Sequence, residues 1–76
     1  MKALEIATLM AEMLDLDDIE TEDNFFDIGG DSILALSLIE ELYERCQVRV
    51  SLLDVIRCPT PEDLAGRIAR NAVRSR

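Results

Sequence analysis

The segment Gly29-Gly30-Asp31-Ser32 has residue types and a spacing that could support chemistry. The Ser32 hydroxyl lies at the predicted start of a helix, and the two glycines before it leave room for a bulky reagent to approach. A helix start presents unpaired backbone N–H groups and the positive end of the helix dipole, and both favour a phosphate carried on the serine oxygen. From the residues alone, the same segment could equally be a flexible loop and an N-cap without chemistry.

Ser32 is predicted to be a substrate rather than the nucleophile of an enzyme. An alcohol needs a neighbouring base, but the chain has no histidine, and the ionisable groups near Ser32 are carboxylates, which are poor bases toward an alcohol. The absence of histidine also excludes Ser-His-Asp triads, Cys-His pairs and His-containing zinc sites. We therefore expect a separate enzyme to perform any reaction at Ser32, and the chain itself to be no enzyme.

Neither the cysteines nor the acidic residues form a metal or redox motif. Cys46 and Cys58 lie twelve positions apart without CxxC spacing, so reduced, partly buried thiols are expected. The run that starts at Asp15 begins like an EF-hand loop, but Glu20 replaces its turn glycine and Phe26 replaces its bidentate glutamate. We predict that the chain binds no metal.

The charge of the chain is negative and unevenly distributed. Its 16 acidic and 8 basic side chains give a net charge of −8, which argues against binding to nucleic acid phosphates. Residues 1–44 contain 13 acids and Lys2 as their one cation, whereas residues 45–76 contain 3 acids and 7 arginines. The acidic half favours fast, transient association with basic protein surfaces, although a solvated acidic face is the alternative.

The length of 76 residues predicts one domain over residues 1–76 and a function on its surface. A chain below about 80 residues has too small a core to enclose a deep catalytic cavity. No apolar run approaches the roughly 18 to 20 residues that cross a bilayer, and the N-terminus lacks a secretory signal. We predict a cytoplasmic monomer that binds no membrane.

Helical periodicity and capping signals predict an all-α fold with three main helices and one short helix, over residues 3–14, 32–46, 52–57 and 61–71. Predicted N-caps are Asp31, Ser51 and Thr60, and Ser51 forms a capping box with Asp54. Residues 72–76 are predicted to be a frayed tail. Of Phe25 and Phe26, at least one ring is expected to turn inward and anchor the long connection between the first two helices.

The faces of the predicted helices separate core from surface. The inner arc of the helix over 32–46 comprises Ala35, Leu36, Leu38, Ile39, Leu42, Tyr43 and Cys46, and that of the last helix comprises Leu64, Ala65, Ile68, Ala69 and Ala72. Ile33 falls on the outer side of its helix together with Ser37, Glu40 and Glu44. An exposed apolar residue beside a helix start is a candidate docking point, although a single such residue often has no role.

These motifs resemble the peptidyl carrier (thiolation) domains of nonribosomal peptide synthetases over nearly the whole chain. The resemblance is carried by Asp23-Asn24-Phe25-Phe26-Asp27-Ile28-Gly29-Gly30-Asp31-Ser32-Ile33-Leu34-Ala35-Leu36, Ser51-Leu52-Leu53-Asp54 and Pro59-Thr60-Pro61-Glu62-Asp63-Leu64-Ala65. Fatty-acid and polyketide acyl carriers are similar in architecture, but a larger residue usually replaces the second glycine. The pair Gly29-Gly30 therefore favours the peptidyl class.

The resemblance implies an acyl-carrier-like four-helix bundle with a prosthetic group on the motif serine. Ser32, flanked by the motif residues Gly29, Gly30 and Asp31, would receive 4′-phosphopantetheine from coenzyme A through a Mg²⁺-dependent phosphopantetheinyl transferase. An adenylation enzyme would load an aminoacyl group as a thioester, and condensation, tailoring or thioesterase partners would act on it in the biosynthesis of a natural product such as an antibiotic. The resemblance places partner docking at Ile33, with Ser37, Glu40 and Glu44 nearby, and at Leu53, which could equally belong to the core.

Two other functions stay open from the sequence: an acyl carrier of a polyketide-type pathway and an unmodified helical interaction module. The start at Met1 and the lack of an obvious linker favour a freestanding carrier, although an excised domain would look the same. The amino acid carried is not predicted, because its selection belongs to the adenylation enzyme.

Overall fold

The computed structural model describes residues 1–74, which form four helices: α1 (Ala3–Met13), α2 (Ser32–Cys46), α3 (Leu52–Arg57) and α4 (Pro61–Arg74). Helix α1 packs against α4 and α2, and the short α3 packs against α2 and α4. The shared core contains the large buried side chains Ile6, Met10, Phe25, Leu38, Leu42, Val55, Leu64 and Ile68. The predicted all-α fold is confirmed, and α2 and α3 begin and end where the sequence predicted.

Side-chain caps fix the starts of the last three helices, as the sequence predicted. The Leu34 N–H donates to Asp31 Oδ1 at 2.9 Å before α2. The Ser51 and Asp54 pair exchanges two hydrogen bonds of 3.0 Å, which completes the capping box of α3. Thr60 Oγ1 accepts from the third backbone N–H of α4 at 3.1 Å. Asp31 is both the last residue of the connection and the N-cap of α2, so it also fixes the position of Ser32.

Phe25 anchors the long connection between α1 and α2. Its ring is fully buried, whereas the Phe26 ring is half-buried and meets it edge to face at a centroid distance of 5.4 Å. The Phe25 N–H donates to the Pro59 carbonyl at 2.9 Å, and the Glu62 N–H donates to the Thr21 carbonyl at 3.0 Å. The connection is therefore bonded to the turn between α3 and α4, and the expected inward aromatic ring is confirmed.

Helix α2 buries a narrower stripe than the sequence predicted. Leu36 and Tyr43, which were assigned to the inner arc, are 50% and 41% exposed. Within the described residues the backbone of α2 comes close to α1 and α3 but not to α4, and the buried stripe of α2 consists of Ala35, Leu38, Ile39 and Leu42. The Tyr43 ring instead lies beneath the Arg49 guanidinium, 4.4 Å from its carbon.

Helix α4 is longer than the sequence predicted, and its inner face is narrower. Helix α4 extends to Arg74, so an end near Asn71 was wrong; residues 75 and 76, the rest of the predicted tail, lie outside the described residues. Ala69 is exposed rather than on the inner face of α4.

Cys46 and Cys58 are free thiols, half-buried and buried respectively. No helix within residues 1–74 is long and apolar enough to span a membrane.

Candidate functional site

Ser32 is exposed and is the first residue of α2. Asp31 before it has an extended backbone (φ −140°, ψ −175°), and its carbonyl accepts from the Ala35 N–H at 2.8 Å. Because the Asp31 side chain caps only Leu34, the N–H groups of Ser32 and Ile33 have no partner within the helix. The serine hydroxyl is thus presented to solvent beside two free backbone donors.

The first turn of α2 suits a phosphate ester on Ser32. Among the four helices of the described chain, α2 alone has no acidic side chain in its first turn; α1, α3 and α4 have Glu5, Asp54, and Glu62 with Asp63. An anion on the serine oxygen would meet the free N–H groups and the positive end of the dipole, and the one carboxylate at this helix start, that of the N-cap Asp31, is already bonded to the Leu34 N–H. The residues present therefore fit a phosphate-linked prosthetic group at this position.

The two motif positions 29 and 30 require glycine for different structural reasons. Gly29 has φ +124°, a left-handed conformation that side chains with a Cβ rarely adopt. At Gly30, a Cβ would stand 2.5 Å from Phe25 Cδ2 and 2.7 Å from the Phe25 carbonyl oxygen. From the sequence, both glycines were expected to clear space around Ser32. The structure shows instead that Gly30 lets the backbone lie directly against the buried Phe25.

Exposed apolar side chains lie on α2, starting with the residue next to Ser32, and on α3, which packs against α2. We call this set the α2–α3 surface, and it comprises Ile33, Leu36, Leu53 and Ile56, which are 75%, 50%, 52% and 51% exposed. The predicted outward position of Ile33 is confirmed, and Leu53 lies outside the core, so only its alternative as an exposed docking residue stays a prediction. Sequence reasoning missed Leu36 and Ile56. The signal was available, because each follows a predicted docking residue by three positions and so lies on the same helix face.

The remaining predicted docking residues continue along the same helix. Ser37, Glu40 and Glu44 are exposed and follow Ile33 at intervals of four, three and four residues, so they extend its face of α2 toward the C-terminus. Neither Glu40 nor Glu44 forms an ion pair with a side chain in the described part of the chain. Both carboxylates are thus available to a basic partner.

Solved structures define the class to which this fold belongs. BlmI, a type-II acyl-carrier protein from Streptomyces verticillus involved in bleomycin biosynthesis, superposes with a TM-score of 0.83 over 90% of this chain and 82% of its own, at 22% identity, which shows the shared fold. A nonribosomal peptidyl carrier domain superposes with a TM-score of 0.74 over 87% of both chains, at 32% identity. The peptidyl carrier protein solved in complex with the phosphopantetheine transferase Sfp and coenzyme A reaches a TM-score of 0.87 over 92% of this chain and 91% of its own, at 27% identity.

The sequence comparisons give the family. Residues 5–68 match the phosphopantetheine attachment site family, to which the chain therefore belongs. Indigoidine synthase of Streptomyces lavendulae is 38% identical over 66 residues, which are 87% of this chain and 5% of that protein. Surfactin synthase subunit 1 of Bacillus subtilis (strain 168) is 34% identical over 84% of this chain and 2% of its own length. The chain thus spans only a small part of each of these curated relatives.

Family, fold and relatives together confirm the resemblance drawn from the sequence. The protein is a peptidyl carrier (thiolation) domain of the nonribosomal peptide synthetase type, and its prosthetic group is covalently attached 4′-phosphopantetheine. The family membership favours a modified carrier over the alternative of an unmodified interaction module.

Proposed function

We propose that Ser32 is the phosphopantetheine attachment residue and that the group holds an aminoacyl or peptidyl unit for partner enzymes. The observation that carries this proposal is the exposed Ser32 hydroxyl at the uncapped N–H groups of α2. The other serines in the described chain fit less well. Ser51 is occupied as the N-cap of α3, and Ser37 lies within α2, where the backbone N–H groups are bonded inside the helix.

In this proposal the residues around Ser32 bind and position the phosphate, but none of them acts as the catalytic base. Ser32 Oγ forms the new bond to phosphorus, the phosphate–phosphate linkage of coenzyme A breaks, and adenosine 3′,5′-bisphosphate leaves. The proton from Ser32 passes to a base of the transferase, because the nearest ionisable group of this chain, Asp31, accepts the Leu34 N–H and is a weak base toward an alcohol. When bound, the group supplies a terminal thiol that holds the acyl unit as a thioester. The chain is therefore proposed to be a carrier and not an enzyme.

The α2–α3 surface is proposed as the docking site of the partner enzymes. Ile33 follows Ser32 directly, the other three apolar side chains are exposed on the same helix and on the neighbouring α3, and Ser37, Glu40 and Glu44 extend the surface with polar and acidic groups. Brief encounters suit such a small apolar patch with an acidic border, because the charges speed association more than they strengthen it. The proposed partners are a phosphopantetheinyl transferase, an adenylation enzyme, and condensation, tailoring or thioesterase enzymes. A cytoplasmic monomer over residues 1–76 is part of the same proposal.

Mass spectrometry tests the attachment residue. The purified chain is incubated with coenzyme A, Mg²⁺ and a broad-specificity phosphopantetheinyl transferase, and its intact mass is measured. We expect the gain of one phosphopantetheinyl group in the wild type and in Ser51→Ala, the control that removes a serine hydroxyl outside the proposed docking surface, and none in Ser32→Ala. Modification that persists in Ser32→Ala, with circular dichroism unchanged, would place the group elsewhere.

A further inference from the structure

A groove of about 450 Å³ lies along α1, between this helix and the connection that follows it. Its floor is formed by Ala7 and Ala11, which are small and almost fully buried. Leu4 and Leu16 flank this floor and are 74% and 40% exposed, and Ile19 adds a half-buried apolar side chain. None of the lining residues belongs to α2 or α3. The groove is therefore separate from the surface assigned to the partner enzymes of Ser32.

The shape of the groove suits the apolar face of another helix. Leu4, Ala7 and Ala11 follow one another at helical spacing, so they line one face of α1 over about two turns, or roughly 10 Å. Small floor residues between two larger side chains leave room for an incoming aliphatic side chain. Exposed apolar surface with a polar border is typical of protein interaction sites.

The border of the groove is acidic and not neutralised. Glu12, Asp17 and Asp18 line it, all three are exposed, and none forms an ion pair with a side chain that the structure describes. No lysine or arginine lines the groove, and Lys2 is the one cation in residues 1–44. The complementary partner must therefore carry positive charge next to its apolar residues.

We propose that this groove docks a basic amphipathic helical segment of a partner protein. Aliphatic side chains of the segment pack between Leu4 and Leu16, and its lysines or arginines face Glu12, Asp17 and Asp18. A second copy of the chain offers exposed apolar side chains beside an arginine at α3, where Leu53, Ile56 and Arg57 are exposed. That helix has only six residues, whereas the groove follows α1 over about two turns, so a longer helix of a partner protein is the better match.

This second docking site would act together with the α2–α3 surface. A partner bound at α1 leaves Ser32 and the α2–α3 surface uncovered, so it can retain the carrier while another enzyme acts at Ser32. Retention of this kind raises the effective concentration of the carrier without strengthening any contact at the reacting end.

The test is a nuclear magnetic resonance titration of the ¹⁵N-labelled full chain. The probe is a synthetic helical peptide of about 14 residues with leucines on one face and lysines on the other, and the control peptide has glutamates in place of the lysines. We expect the lysine peptide to shift the amide signals of residues 4–12 and 16–19 and to leave those of Ile33 and Leu53 unchanged. The glutamate peptide should not bind.

Matched variants decide the outcome. The double change Leu4→Ser with Leu16→Ser replaces exposed side chains, so the fold should persist by circular dichroism, and affinity should fall about tenfold or more. The control Ile33→Ser should bind like the wild type. Equal binding by the double variant, shifts centred on the α2–α3 surface, or self-association in sedimentation would each overturn the proposal. Attachment of phosphopantetheine to the double variant, measured by mass, reports separately on the Ser32 assignment.

Discussion

The contact between Gly30 and Phe25 yields a quantitative prediction for Gly30→Ala. The new methyl group would stand 2.5 Å from Phe25 Cδ2 and 2.7 Å from the Phe25 carbonyl oxygen, well inside van der Waals contact. Neither neighbour can move freely, because the ring is fully buried and the carbonyl accepts the Gly30 N–H at 2.9 Å. Overpacking of this kind costs about 1–3 kcal/mol of the free energy of unfolding.

Gly66→Ala is the matched control for this experiment. It adds the same methyl group, but a Cβ at Gly66 meets nothing within 4 Å, and the residue lies inside α4. Because alanine is the better helix former, Gly66→Ala should gain about 0.5–1 kcal/mol.

Urea denaturation followed by circular dichroism measures both variants. Each kcal/mol corresponds to about 4–8 °C in Tm for a domain of this size, so a thermal scan should show the same opposite signs. If Gly30→Ala is as stable as the wild type, or if both variants lose stability equally, the inferred approach of the backbone to Phe25 is wrong.

Three further predictions concern the capping box and the docking surface. The Ser51 N–H hydrogen bond, the largest contribution, holds the pKa of Asp54 below its ordinary value of 3.8. The ionised Asp54 carboxylate therefore stabilises the folded state fully above about pH 3.8, and this stabilisation is lost as the pH falls through the lower pKa of the folded state. Asp54→Asn should accordingly cost about 1 kcal/mol at pH 7 and less at pH 2, measured by urea denaturation; an equal cost at both pH values would contradict this. Ile33→Asp should lower kcat/KM for loading by an adenylation enzyme about tenfold or more with helical content intact, and unchanged loading would remove Ile33 from the docking surface. Glu40→Gln should change the same constant less than about fivefold, because exposed charge pairs contribute about 0–1 kcal/mol; a larger effect would show that Glu40 makes a desolvated contact.

Local signals explain why much of the fold was predictable. Asp31 and Ser51 accept hydrogen bonds from residues three positions ahead, so the starts of α2 and α3 depend on neighbours in the sequence. The start of α4 at Thr60-Pro61 follows the same rule. Ser32 could be singled out as a candidate for a related reason, since a helix start after two glycines is also a local feature, but its proposed role as the attachment residue came from the resemblance of the motif to peptidyl carrier domains.

Tertiary packing explains what the sequence did not predict. Periodicity places Leu36 and Tyr43 on an apolar arc, but it does not reveal that α2 lacks α4 as a neighbour. The role of Gly30 depends on a turn that brings its backbone against Phe25, five positions earlier, and on the burial of that ring in the core, which the residue types alone do not show. Likewise, no glycine or proline after Asn71 marks the end of α4, so its continuation to Arg74 could not be deduced.

The hydrogen bonds that join the long connection to the turn before α4 have a mechanical consequence. Through the hydrogen bond from the Phe25 N–H to the Pro59 carbonyl, the segment leading to Ser32 is tied to the segment leaving α3. A displacement of α3 can therefore reach Ser32 through this hydrogen bond and the connection before α2, without passing along α2 itself. The amide protons of Phe25 and Glu62 should exchange with solvent only when the whole bundle opens, and not through separate fraying of either loop.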